Sequence, residues 1–192
     1  MKIGIMGGSY NPIHIGHAII ANHIISNSEI DQLWLMVSPE NPFKSGQNMV
    51  SEMHRLRMTE MVTRRLDNVI TSAFELSMPR PSYTIDTLAA LQQKFPQDEF
   101  YLIIGADNWV EFDRWKAHDE ILAKHKILVY PRLGYDVKIP ASLREHVFLV
   151  DAPVIELSST FIRESLANHK NMSFYLPDDV LAYITVNKLY IE

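Results

Sequence analysis

Short apolar runs alternate with stretches of helical period along most of this chain, and that alternation restricts the fold more than any other feature of the sequence. Residues 2–6, 33–37, 68–74, 100–104, 126–130 and 147–150 are short, apolar and often bounded by turn residues, as strands are. Between them, residues 16–25, 51–66, 84–95 and 118–123 read as helices. The clearest is the third, where Ile85, Leu88, Leu91 and Phe95 recur at intervals of three and four on one face. Ser51 suits the cap of the second helix, and Pro96 stops the third. Parallel strands need crossover connections that lie on the sheet, so regular succession of strand and helix predicts a mostly parallel sheet covered on both faces. The predicted fold class is α/β, a doubly wound sheet.

The tail breaks the pattern. Residues 158–168 and 177–187 read as consecutive helices with no strand between them, the second opening on Pro177. We take 1–192 as a single domain, of which roughly 157–192 is a small helical appendage on the sheet.

Composition excludes several functions. A net charge of −5 argues against non-specific nucleic-acid binding, which needs a basic surface to displace counterions. With no cysteine, disulfides, thiol catalysis and thiolate metal sites are ruled out. The apolar N-terminus turns to glycine too soon for a secretory segment, and no run approaches the roughly 20 apolar residues of a membrane span. The expected location is the cytoplasm, with neither membrane nor nucleic acid as partner.

Ligands of open α/β sheets bind beyond the carboxyl ends of the strands. Leaving the first predicted strand is Gly7-Gly8-Ser9-Tyr10-Asn11-Pro12-Ile13-His14-Ile15-Gly16-His17. Glycines let the backbone approach a ligand, consecutive N–H groups can cradle an anion, and the following helix start favours phosphate. Neither the dinucleotide fingerprint nor the lysine-bearing phosphate loop is present. His14 and His17, three apart where a helix begins, can both face the loop mouth and donate to phosphate oxygens. One capping and one packed histidine is a second reading. A metal pair is a third, although no nearby carboxylate or further histidine completes a ligand set.

Near the other end stands Leu157-Ser158-Ser159-Thr160-Phe161-Ile162-Arg163, hydroxyls suited to cap a helix with Arg163 one turn inside. A helix start ordinarily favours acidic side chains, so an arginine there points to an anion, the alternative being a capped helix with a solvated arginine.

His14-Ile15-Gly16-His17 resembles the HxGH signature of α/β nucleotidyltransferases, and residues 157–163 resemble their ISSTxxR element. Ser82-Tyr83-Thr84-Ile85-Asp86-Thr87-Leu88, Ile104-Gly105-Ala106-Asp107-Asn108 and Phe112-Asp113-Arg114-Trp115 together look like bacterial nicotinate-nucleotide adenylyltransferases. Pro39-Glu40-Asn41-Pro42-Phe43-Lys44 resembles the proline-rich loop of that family, except that Phe43 stands where the family commonly has histidine. The resemblance spans essentially the full length.

It implies a Rossmann-like nucleotidyltransferase that moves AMP from ATP to nicotinate mononucleotide, giving nicotinate adenine dinucleotide and pyrophosphate on the way to NAD. Under it, His14, His17, Lys44 and Arg163 are expected in catalysis. Gly8, Ser9, Gly105, Asp107, Ser159 and Thr160 are expected at ATP, and Thr84, Trp115 and Arg132 at the mononucleotide. Mg²⁺ is expected to ride on the ATP phosphates, with no metal site built by the protein. Several residues keep an ordinary reading beside the implied one. Asp107 would also serve as a cap for a helix from Asn108, Trp115 would pack in a core, and Arg132 would be a surface cation. Nicotinamide mononucleotide or pantetheine phosphate as acceptor, and a non-catalytic ATP-binding module, are the competing functions. The chain is compatible with a homo-oligomer.

Overall fold

The computed structural model describes residues 1–39 and 49–191. Among them, β1 (Lys2–Gly8), β2 (Gln32–Val37), β3 (Val69–Ser72), β4 (Glu99–Gly105), β5 (Lys126–Tyr130) and β6 (Val147–Leu149) form one sheet in the order β3-β2-β1-β4-β5-β6. Every pairing between neighbours is parallel. The helices are α1 (Ile15–Asn27), α2 (Glu52–Thr63), α3 (Thr84–Lys94), α4 (Ala106–Val110), α5 (His118–Lys124), α6 (Ser159–Ala167) and α7 (Asp178–Val186).

Two apolar layers sandwich the sheet. Along β4, Phe100, Leu102 and Ile104 enter one layer while Tyr101 and Ile103 enter the other, the period of two that a pleated strand imposes. The first layer receives Leu88 and Leu91 of α3 and Ile121 of α5. The second receives Ile20 and Ile24 of α1, Met58 and Val62 of α2, Ile162 of α6, and Val180 and Ile184 of α7. The tail helices thus share the core of α1 and α2. Among the described residues, no helix is long and apolar enough to cross a membrane.

Local chemistry explains most boundaries. The Ser51 hydroxyl accepts from the His54 N–H at 3.4 Å and caps α2. Phe95 leaves the helical region at φ −128° because the ring of Pro96 disfavours it there. β3 is shorter than the sequence suggests: the Ser72 hydroxyl captures the Phe74 N–H at 3.3 Å, and a 3₁₀ turn, Phe74–Ser77, begins where continued strand was expected. Pro177 stands before α7, not within its first turn. α4, a single short turn after β4, is too brief to show a period in the sequence.

Because β1 and β4 are neighbours, the chain leaves their carboxyl ends toward opposite edges of the sheet. This is the topological switch point at which open α/β sheets leave a crevice. Into it feed the loop after β1, Ser38 after β2, Gly105 after β4 and Arg132 after β5.

Candidate active site

The loop after β1 is held from several directions. Tyr10 takes a left-handed backbone (φ 47°), and its buried hydroxyl donates back to the Met6 carbonyl at 2.6 Å. Arg55, fully buried on α2, donates from Nη1 to the carbonyls of Ser9 (2.6 Å) and Ser38 (2.7 Å), joining the exits of β1 and β2. The Tyr190 hydroxyl donates to Asn11 Oδ1 at 2.7 Å. From α6, Ser159 Oγ donates to the Pro12 carbonyl at 2.9 Å and Arg163 Nη1 to the Asn11 carbonyl at 2.9 Å. The second sequence element therefore grips the first. Thr160 Oγ1 accepts from Arg163 Nη2 at 3.3 Å.

His14 is buried at the N-cap position of α1, and its ring centroid lies 3.8 Å from that of His17. The backbone N–H of His14 donates to His17 Nδ1 at 3.2 Å. That bond fixes the tautomer: the proton of His17 resides on Nε2, which remains a donor. The His17 ring thus shares in capping α1. Gly16 is required by this packing, since a Cβ there would lie 3.0 Å from His14 Nδ1 and 3.1 Å from Ile155 Cγ2. Burial, reinforced by the Arg132 charge, lowers the His14 pKa to about 3. His17 is lowered by burial first, then by His14 and Arg132. Both imidazoles are neutral near pH 7. A small hollow over them is lined by Met6, Tyr130, Arg132 and Leu157.

Clefts open on two sides. One, of about 340 Å³, is lined by Gly8, Ser9, Ser38, Glu75, Thr84, Gly105, Asn108 and Trp115. The other, of about 660 Å³, is lined by Asp107, Arg132, Glu156, Ser158, Phe161 and Tyr175. The residues grouped from the sequence are distributed differently between them. Gly8, Ser9 and Gly105, grouped with ATP, line the same cleft as Thr84 and Trp115; Arg132, grouped with the mononucleotide, lines the other with Asp107.

Asp107 does not cap the helix from Asn108. α4 starts two residues earlier, at Ala106, with Gly105 at its N-cap, so Asp107 falls inside the first turn. Its Oδ1, buried without a hydrogen bond among the described residues, faces Arg132 Nε at 3.6 Å. Gly105 has room for no side chain, because a Cβ would run into the Asp107 carboxylate and lie 3.2 Å from the Tyr130 ring. Trp115 serves core and cleft together, its ring 5.3 Å from that of Phe112. Thr84 is the first residue of α3, whose N-cap, Tyr83, supplies no side-chain cap. Phe43 and Lys44 lie outside the described residues.

Two residues of the site were not anticipated. Arg55 carried a signal: it stands one turn before Met58 and Thr59 and two turns before Val62 on the buried face of α2, an unusual position for a cation. Glu75 carried only its position, the first residue beyond the predicted strand 68–74 and so at a strand's carboxyl end, with no role attached.

Residues 5–165 match the cytidylyltransferase-like family. A probable nicotinate-nucleotide adenylyltransferase of Bacteroides thetaiotaomicron is 44% identical over 184 residues, 96% of this chain and 91% of the relative. One from Flavobacterium psychrophilum is 44% identical over 192 residues, covering 99% of each. The chain belongs to the nicotinate-nucleotide adenylyltransferase family. The fold agrees with solved structures of that family at low identity. The Plasmodium falciparum nicotinic acid mononucleotide adenylyltransferase complexed with NaAD has a TM-score of 0.81 at 19% identity, covering 98% of this chain and 97% of the other. The crystal structure of a putative nicotinate-nucleotide adenylyltransferase from Vibrio parahaemolyticus has a TM-score of 0.72 at 24% identity, covering 100% of this chain and 97% of the other.

Proposed function

We propose that the protein transfers AMP from ATP to nicotinate mononucleotide, forming nicotinate adenine dinucleotide and releasing pyrophosphate. The observation that carries this reading is the pair of neutral, closely packed histidines under a small hollow that shares Tyr130 with the cleft edged by the start of α3, and Arg132 and Leu157 with the cleft of Asp107.

In the reaction, an oxygen of the mononucleotide 5′-phosphate forms a bond to the α-phosphorus of ATP while the bond to the β-phosphate bridging oxygen breaks. A phosphate monoester is already ionised at neutral pH, so no general base is needed, and the enzyme contributes alignment and charge stabilisation. Neutral imidazoles suit that task as hydrogen-bond donors aimed at charge that develops on the transferred phosphoryl oxygens. The tautomer of His17, with Nε2 protonated, supports such a donor role. Mg²⁺ enters as part of the MgATP substrate.

Asp107 is suited to accept from ribose hydroxyls, and Arg132 beside it to pair with triphosphate; we therefore assign Arg132 to ATP instead of the mononucleotide. In the other cleft, the N–H groups at the start of α3 favour the carboxylate of nicotinate over a neutral amide, and the Trp115 indole offers a face for the pyridine ring. Ser159 and Arg163 act mainly by holding the Asn11–Pro12 backbone in place for the histidines.

The test is pyrophosphate release from MgATP with nicotinate mononucleotide, nicotinamide mononucleotide or pantetheine phosphate as acceptor. Nicotinate mononucleotide should be fastest. ATP binding with no pyrophosphate from any acceptor would overturn the proposal. Removing one donor in His14→Ala or His17→Ala should lower kcat by roughly 10²–10³-fold while raising the mononucleotide KM much less.

A further inference from the structure

Glu75 lies in the 3₁₀ turn after β3 and faces the cleft that holds Thr84 and Trp115. Each of its carboxylate oxygens is engaged by a different neighbour. Oε2 accepts from Ser38 Oγ at 2.8 Å, at the exit of β2, and Oε1 accepts from Ser82 Oγ at 2.9 Å, just before α3. Ser38 is itself tied to the loop after β1, its N–H donating to the Gly8 carbonyl at 2.9 Å and its carbonyl accepting from Arg55. Resting on the function proposed above, we propose that Glu75 is a positioning residue that braces the pyridine half of the site, setting where the first turn of α3 stands relative to the β1 loop.

The reasoning follows from what else holds that turn. Between Ser77 and Thr84 the chain contains Pro79 and Pro81 and forms no regular element. Its other side-chain ties among the described residues, Arg80 to Glu52 at 2.7 Å and Lys116 over the exposed Tyr83 ring at 4.4 Å, are solvent-exposed, and exposed charged contacts contribute little. Tyr83 gives α3 no side-chain cap. The bond from Ser82 to Glu75 is therefore a partly shielded polar link that helps locate the N–H groups at the start of α3, beside the packing of Ile85, and hydrogen bonds to a carboxylate are the stronger kind. A bound pyridine carboxylate would need those N–H groups within hydrogen-bond distance, so a small drift there weakens the mononucleotide far more than ATP, whose proposed partners Asp107 and Arg132 lie in the other cleft.

Steady-state kinetics with both substrates varied, on wild type, Glu75→Ala, Glu75→Gln and Ser82→Ala, test this. Glu75→Ala should raise the KM for nicotinate mononucleotide by about tenfold, as expected for two lost hydrogen bonds of ordinary strength, with the ATP KM within about twofold. Glu75→Gln should recover the KM to within about threefold, because its amide can accept from one serine and donate to the other. Ser82→Ala should fall between. An unchanged mononucleotide KM in Glu75→Ala, or a parallel rise for both substrates with a drop in the thermal midpoint, would overturn the inference. A glutamine variant as impaired as alanine would also do so, since charge and not bracing would then be the cause. Wild-type protein that is inactive with nicotinate mononucleotide refutes the proposed function itself, a result distinct from any of these.

Discussion

Replacing His14 with asparagine should remove a pH dependence of stability that the wild-type protein carries. Burial lowers the pKa of His14 from 6.5 to about 3. Between those values the unfolded chain holds more protons than the folded one, so stability rises with pH across that window. The contribution is fully present above the unfolded pKa and is lost as pH falls from 6.5 toward 3. Lowering the pH from about 7.5 to about 5 should therefore cost about 2 kcal/mol through this one group, at a slope approaching 1.4 kcal/mol per pH unit. His17 is shifted in the same direction, chiefly by its own burial, and remains in both proteins, so the difference between their pH dependences reports mainly on His14. The assay is urea unfolding of each protein at both pH values. Wild type should lose about 2 kcal/mol more than His14→Asn. Equal losses would mean that the ring titrates as in water, and the dry, neutral donor pair on which the mechanism rests would have to be abandoned.

Other substitutions probe the same frame. Gly16→Ala places a methyl 3.0 Å from His14 Nδ1 and should cut kcat by roughly ten- to hundredfold, with little change in the unfolding midpoint because alanine favours helix; an unchanged kcat would contradict the packing. Tyr190→Phe removes the 2.7 Å bond to Asn11 Oδ1 and should cost about 1 kcal/mol in urea unfolding, since that oxygen still accepts from the Val50 N–H. Ser159→Ala should cost a similar ~1 kcal/mol by freeing the Pro12 carbonyl, and should lower kcat severalfold; full activity would separate α6 from the β1 loop.

Much of the fold was legible because its signals are local. Strand β5 falls on the predicted residues 126–130, and the period of α3 buries Ile85, Leu88 and Leu91 as read. The histidine motif was legible for a similar reason, since four consecutive residues at a strand exit carry its meaning. α4 shows in the sequence only as the alternative of a helix from Asn108, being too short for a period, and β3 is shorter than its apolar run because Ser72 takes the Phe74 N–H from the ladder. Grouping residues by substrate was harder. Arg132 and Thr84 both follow strands, and only the order of strands in the sheet decides which side of β1 and β4 each one faces.

What this sequence determined by itself was a parallel α/β sheet, a phosphate-suited loop with two histidines, and a second element with hydroxyls and an arginine. These depend on periodicity and on neighbours in the chain. Tertiary structure decided that Ser159 and Arg163 grip Asn11 and Pro12, that Arg55 and Glu75 brace the strand exits, and that both imidazoles are dry enough to stay neutral. Such contacts join residues far apart in the chain, and burial is a property of the whole packed molecule, so no local pattern could encode either.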